Sequence, residues 1–195
     1  MKKEKSDIRI RFTKKMIQES LIELMTEKSI LNITIKEICE CAGVSRSTFY
    51  TYYSDQYDLL KQIEHQTFSG MDQLIQQYRR EYINTGTINP VGLEKTLQGY
   101  LQYIADNNNS IQVLLSENGD QLFQKRFFRN NIEHFRIFKE IKRKTEMDDE
   151  TLKCYSLFTT GGFLVLIQDW LKNGMNIPAQ KIVNVMVGFM QWIFK

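Results

Sequence analysis

Residues 33–53 read Ile33-Thr34-Ile35-Lys36-Glu37-Ile38-Cys39-Glu40-Cys41-Ala42-Gly43-Val44-Ser45-Arg46-Ser47-Thr48-Phe49-Tyr50-Thr51-Tyr52-Tyr53, and this stretch contains two helix starts separated by a turn. Thr34 followed three residues later by Glu37 fits a capping box, in which hydroxyl and carboxylate each satisfy an otherwise orphaned backbone amide. Ile35, Ile38 and Cys39 follow at helical spacing, so a short helix is expected over about 35–41. Gly43 can take the left-handed backbone angles that close it. Ser45 then caps a further helix, Arg46 to about Tyr53. Hydroxyls and aromatics give that helix poor intrinsic propensity, so packing must hold it.

Upstream, Ile17, Leu21, Leu24 and Met25 recur on one face of a helix from about Arg9 to Lys28. Three helices, the last two joined by a glycine turn, make a helix-turn-helix whose final helix enters the major groove of DNA. Ser45, Arg46, Ser47 and Thr48 stand at the start of that helix, where side chains meet the duplex. Arginine can bond a guanine edge or a phosphate, and hydroxyls can serve either, so the residue types leave base and backbone contacts undivided. Phe49 is expected to pack inward.

Downstream, Ser54-Asp55 offers another cap, after which Leu59, Leu60, Ile63, Phe68, Met71, Leu74, Ile75 and Tyr78 continue a long helix to about Tyr82. Residues 84–90, Asn-Thr-Gly-Thr-Ile-Asn-Pro, are the clearest loop. Helices are expected over about 90–107, 110–116, 120–146, 149–173 and 178–194. The fold expected is all-α, with nine helices in two domains. Residues 1–55 form a three-helix DNA-binding domain with a basic arm at 1–9, and 56–195 a helical ligand-binding and dimerisation domain.

The run from Ile33 to Val44, Ser45-Arg46-Ser47-Thr48-Phe49-Tyr50, Tyr52-Tyr53 and then Asp58-Leu59-Leu60 closely resembles the N-terminal domain of TetR-family transcriptional regulators, over roughly residues 10–65. The nine-helix plan is similar too. Gly161-Gly162, Trp170-Leu171 and Asn173-Gly174-Met175 resemble the C-terminal domain of one of its subgroups. The resemblance implies a homodimeric repressor that binds a palindromic double-stranded DNA operator and releases it when a small-molecule effector enters the C-terminal domain. It also implies that Thr34, Arg46, Thr48, Tyr50 and Tyr52 face DNA. Two positions depart from the pattern. Gln56 stands where the family commonly has a phosphate-contacting lysine, and Tyr52 where the subgroup often has histidine. Loss of one such charge lowers the salt slope of binding by about one unit.

The formal net charge is +3, but residues 1–15 hold seven Lys/Arg against Glu4 and Asp7. This segment is either a solvated tail or a source of phosphate contacts. The last helix carries Ile182, Val185, Met186, Phe189, Met190 and Ile193 on one stripe, with Val183, Val187, Trp192 and Phe194 elsewhere. A helix apolar on more than one face needs two partners. One is its own subunit and the other a second protomer, unless all of these side chains fill a monomer core. The interface expected uses Gly161 and Gly162, where helices can approach closely, with Trp170, Ile182, Met186, Phe189, Met190 and Ile193. Phe68, Met71, Ile75, Tyr78, Tyr100, Tyr103, Phe123, Phe127, Phe135, Tyr155 and Phe158 populate the helices around an effector cavity, as pocket lining or plain core.

No run of about 18 apolar residues exists, so no membrane span is expected, and the charged N-terminus lacks a secretory core, which points to the cytoplasm. Cys39, Cys41 and Cys154 read as free, buried thiols. His65 and His134 have no metal-ligand spacing with cysteine or each other, and no phosphate loop, nucleophile elbow or catalytic carboxylate pair stands out. The chain is therefore expected to have no catalytic residues, metal or cofactor. The competing expectation is an interaction adaptor or coactivator on the same fold that reads a protein partner instead of DNA, a possibility raised by Gln56 and the small net charge.

Overall fold

The computed structural model describes residues 2–85, 90–135 and 148–193, with the side chains of 2–6, 78, 79, 81–85, 90, 130–135 and 193 excepted. Nine α-helices lie among the described residues: α1 (Lys2–Glu27), α2 (Ile35–Ala42), α3 (Arg46–Tyr52), α4 (Gln56–Thr85), α5 (Pro90–Asp106), α6 (Asn108–Leu114), α7 (Gln121–Phe135), α8 (Asp149–Lys172) and α9 (Ala179–Ile193). A single 3-10 turn, Ile30–Asn32, precedes α2. The remainder of the helix expected over 120–146, Phe194 and most of the 84–90 loop fall outside the described residues, as do the side chains of Tyr78, His134, Phe135 and Ile193.

The chain forms two compact units. One comprises residues 1–67 and 109–123, the other 68–108 and 124–195. The unit holding the helix-turn-helix thus extends past residue 55 and takes in a segment from the second half of the chain. Its core is Ile17, Leu21 and Met25 of α1, Ile38 of α2, Phe49 of α3 and Leu59 of α4, none of them exposed. Ile111 and Leu114 of α6 are equally buried. Beyond α6, the Asn118 side-chain amide donates to the carbonyl of Thr26 at 3.3 Å.

Helix α1 begins at Lys2, where an arm over 1–9 was expected. The segment holds Lys2, Lys3 and Lys5 and no glycine or proline, so nothing local stops the helix from running through it.

In the second unit α9 packs against α5. Leu97, Leu101 and Ile104 of α5 meet the same core as Ile182, Val183, Met186 and Met190 of α9. Helix α8 contributes Leu152, Thr159, Thr160, Phe163, Ile167 and Trp170. The indole of Trp170 donates to the carbonyl of Ile177 at 2.7 Å, tying the end of α8 to the connection that leads into α9.

Candidate functional site

The capping box opening α2 is present in both directions. Thr34 Oγ1 accepts from the Glu37 N–H at 3.3 Å, and the Glu37 carboxylate accepts from the Thr34 N–H at 2.9 Å. Lys28, just past the end of α1, donates to the same carboxylate at 2.6 Å. The Lys28 ammonium, followed by the Thr34 amide and hydroxyl, holds the Glu37 carboxyl down to about 2. Helix α2 ends as Gly43 takes φ 63°, with the Val44 N–H donating back to the Cys39 carbonyl at 3.0 Å. This turn sets the angle between α2 and α3.

Ser45 caps α3 by accepting from the Thr48 N–H at 3.2 Å. Its hydroxyl also lies 2.8 Å from that of Ser47 and 2.9 Å from that of Thr48, a small hydroxyl cluster at the start of the helix. Phe49 is wholly buried, as its position predicted, and Tyr53 is 2% exposed. Two aromatics anchor one side of a helix whose propensity would not sustain it alone. The other side is open: Arg46, Ser47, Tyr50 and Thr51 are exposed, with Thr48 and Tyr52 half-buried. Arg46 makes no hydrogen bond or ion pair among the described residues. Tyr50 is 57% exposed, its ring edge-on to Phe49 at 5.7 Å.

Of the residues expected to face DNA, Arg46, Ser47, Thr48 and Tyr50 therefore form one polar surface. Thr34 and Ser45 are exposed as well, but their hydroxyls already serve caps, so a phosphate would have to share them. Tyr52 lies under the Lys14 ammonium of α1, 5.4 Å from its ring centroid. Sequence pattern alone did not single out Thr51 of α3 or Tyr57 of α4, and it gave Lys14 only as one of the seven basic residues of 1–15. Tyr57 is 47% exposed one turn after α3. Gln56 sits in the first turn of α4, where Asp55 Oδ1 accepts from the Asp58 N–H at 2.7 Å and Asp58 accepts from the Ser54 N–H at 3.0 Å. That backbone bond, then one from Gln62, lowers the Asp58 carboxyl below its ordinary range.

The second unit divides the residues expected at the interface. Trp170, Ile182, Met186 and Met190 are only 2–4% exposed within the single chain, where they fill its own core. Helices α8 and α9 are apolar on two sides, and the inward side of α9 is the one that meets α5. The outward side carries Phe158 (70% exposed), Val165 (64%), Val185 (57%) and Trp192 (68%). Gly161, Gly162 and Gly188 border it, and a Cβ built at any of them would meet nothing within 4 Å. Phe189 is half-buried between Phe158 at 6.0 Å and Trp192 at 6.2 Å. Ile193 is outside the described side chains.

Among the residues grouped around a cavity, Met71, Tyr100 and Phe127 are buried in the second unit, and Phe68, Ile75, Tyr103 and Tyr155 are half-buried there. Phe68 lies 6.2 Å from Phe127. The phenol end of Tyr103 lies against α4 at Gly70, where any Cβ would collide with it, and burial pushes its hydroxyl up. Two members lie elsewhere: Phe123 is buried in the first unit, and Phe158 belongs to the outward face just described. Cys39 is buried, whereas Cys41 and Cys154 are exposed, which corrects the expectation of buried thiols. Cys41 lies on the outer side of α2, with its thiol 3.5 Å from Glu23 Oε2. Among the described residues no cluster of histidine, cysteine and carboxylate side chains could hold a metal ion, and no helix is long and apolar enough to cross a membrane.

The family model described as bacterial regulatory proteins, tetR family, matches residues 17–63, and one described as transcriptional regulator C-terminal region matches 93–191. An uncharacterized HTH-type transcriptional regulator of Haemophilus influenzae is 25% identical over 122 residues, which are 62% of this chain and 57% of that protein. Another, YxbF of Bacillus subtilis, is 22% identical over 116 residues, 60% of this chain and 30% of that protein. The matched stretch thus spans less than two thirds of either relative. Among solved structures, a TetR transcriptional regulator from Streptococcus agalactiae is 22% identical with a TM-score of 0.57, covering 94% of this chain and 96% of that one. The fatty acid degradation regulator FadR of Bacillus halodurans is 14% identical with a TM-score of 0.64, covering 90% and 93%. A FadR of Thermus thermophilus, in complex with lauroyl-CoA, is 17% identical with a TM-score of 0.57, covering 91% and 93%. The helix-turn-helix, the all-helical second unit and the two family models that cover them agree: this chain belongs to the TetR family of bacterial regulatory proteins.

Proposed function

We propose that the chain acts in the cytoplasm as a homodimeric repressor, gripping a palindromic operator with α3 of each protomer and releasing it when a small molecule enters the second compact unit. The observation that carries this is the polar side of α3. Arg46, Ser47, Thr48 and Tyr50 are gathered on one open surface, although nothing in the packing of the first unit requires hydroxyls and a cation there. Arg46 serves as the bidentate or phosphate contact, with Ser47 and Thr48 as short hydrogen-bonding partners and Tyr50 spanning backbone and groove. Thr34, Ser45 and Tyr52 flank this set.

Two copies would pair through the outward face of α8 and α9, with Phe158, Val165, Val185, Phe189 and Trp192 packing about a two-fold axis and Gly161 and Gly162 permitting close approach. A dimer of this kind reads half-sites about 34–36 Å apart. The effector site is assigned to the second unit around Met71, Tyr100, Tyr103 and Phe127. A mostly apolar molecule with a hydrogen-bonding group suits such side chains. Binding there favours a protomer arrangement with the wrong half-site spacing, and such couplings typically amount to about 5–150-fold in affinity.

The test is an electrophoretic mobility shift with the chain's own upstream DNA, using wild type, Arg46→Ala and Tyr50→Ala. Wild type should bind specifically and both variants should weaken. Unchanged binding in both would reject α3 as the reading helix, and no specific binding by wild type would favour the adaptor alternative. Lauroyl-CoA is the first effector to titrate, because one structural neighbour is complexed with it. If no ligand that binds the second unit changes operator affinity, the release mechanism fails.

A further inference from the structure

We infer that the N-terminal turns of α1 form a second DNA-contacting element, a basic helical rail that takes the phosphate backbone beside each half-site. This inference rests on the operator-binding reading above.

Helix α1 runs from Lys2, yet among its described side chains, which begin at Asp7, the first buried residue is Ile17. Residues 7–13 therefore continue past the core they would need for stability, over about 10 Å at the rise of an α-helix. Asp7 through Phe12 are all exposed. An overhanging helix of this length is marginal in water without a partner.

Its direction is set by one contact. The Lys14 ammonium sits over the ring of Tyr52, the last residue of α3, so α1 passes the C-terminal end of the reading helix at Lys14. Arg11 lies one turn back, three residues away, and so shares the face of α1 that carries Lys14. Arg9 and Arg11 are exposed and make no ion pair among the described residues, while Lys15 pairs with Glu19 at 3.5 Å. The sequence continues the charge with Lys2, Lys3 and Lys5 against Glu4 and Asp7 alone. A cationic strip that leaves the protein beside its DNA-reading helix matches a polyanion lying along the same side. It also supplies the charge absent at Gln56. Phosphate contacts carry no base preference, so the rail adds affinity and salt dependence without changing which sequence is chosen.

The experiment uses the full chain and a duplex that it selects from a random-sequence pool, prepared with long flanks and trimmed to the central protected bases. Compared are wild type, Arg9→Ala/Arg11→Ala and Arg46→Ala, each checked for unchanged helicity and melting temperature. The double variant should select the same sequence but lose about two units of salt slope, so that its affinity falls about tenfold less than wild type between 50 and 200 mM salt. The advantage of the long duplex over the trimmed one should shrink with it. An unchanged slope and an unchanged preference for flanks would overturn the rail while leaving the α3 assignment intact, provided that Arg46→Ala weakens binding. An unchanged slope together with a shift in oligomeric state would also overturn it, since exposed Ile8 and Phe12 would then be holding two copies together. Failure of wild type to enrich any duplex would sink both the rail and the operator reading.

Discussion

The reading helix α3 and the helix pair α8–α9 both leave one side uncovered, but of opposite chemistry. On α3 the inward side is Phe49 and the outward side is hydroxyls, Arg46 and a tyrosine tip. On α8 and α9 both sides are apolar, and Val165 and Trp192 are about two-thirds exposed. A polar open side is at home in water and reads as a surface for a hydrated, charged ligand such as DNA. An apolar open side of this size reads as a surface for another protein. On the function proposed above, the contrast separates the side offered to DNA from the side offered to a second copy.

The strongest test of that contrast is the anchor that keeps α3 polar on one side only. Phe49→Ala should destabilise the first unit by about 3–5 kcal/mol in chemical denaturation, since a large aromatic in a closed core is lost and α3 has little propensity to fall back on. A loss under 1 kcal/mol would mean that α3 is held by something else. Next comes the apolar side. Val165→Asp should weaken dimerisation on the order of 100-fold in sedimentation equilibrium, because pairing would bury an unpartnered charge. Ile182→Ala, in contrast, should reduce stability more than association. A dimer indifferent to Val165→Asp would place the interface elsewhere.

On the polar side, Arg46→Ala should cost about 1–3 kcal/mol of operator affinity with fold stability unchanged. Ser45→Ala should cost about 1 kcal/mol of stability through the lost cap, together with a smaller loss of DNA binding. The smallest effect concerns acid. The Glu37 carboxyl is lowered in the folded protein to about 2 and Asp58 is lowered as well, so their stabilisation is present above the unfolded carboxylate range near 4. It is lost as pH falls from there through the folded values. Glu37→Gln should flatten the stability profile between about pH 4.5 and 2 relative to wild type, and by less in high salt, because the group is open to solvent. A profile that stays as steep would remove the Lys28–Glu37 contact from the account.

The helix-turn-helix was legible because its signals are local. Thr34 with Glu37, Gly43, and Ser45 with Thr48 each satisfy backbone groups within a few residues, and the hydrogen bonds observed are those the spacing implies. The same holds for Phe49, whose side is fixed once α3 exists. The C-terminal stripe was not legible in the same way. Ile182, Met186 and Met190 looked as suited to a partner as to a core, since hydrophobicity records that a side chain avoids water and not what replaces the water. Phe158 fits a cavity lining by its sequence for the same reason, and its exposure on α8 follows only from long-range packing.

Residue order was sufficient for the helical character of the described residues, the caps at Thr34 and Ser45, the turn at Gly43 and the hydroxyl- and arginine-bearing start of α3, all set by interactions spanning four residues or fewer. Long-range packing alone decided that residues 109–123 join the first unit, that Lys14 rests on Tyr52, and that Val165 and Trp192 stay open while Trp170 and Met186 close. Those outcomes depend on which surfaces of distant helices meet. A periodic apolar pattern is compatible with several such meetings, and the winner is the one that removes the most surface from water at once.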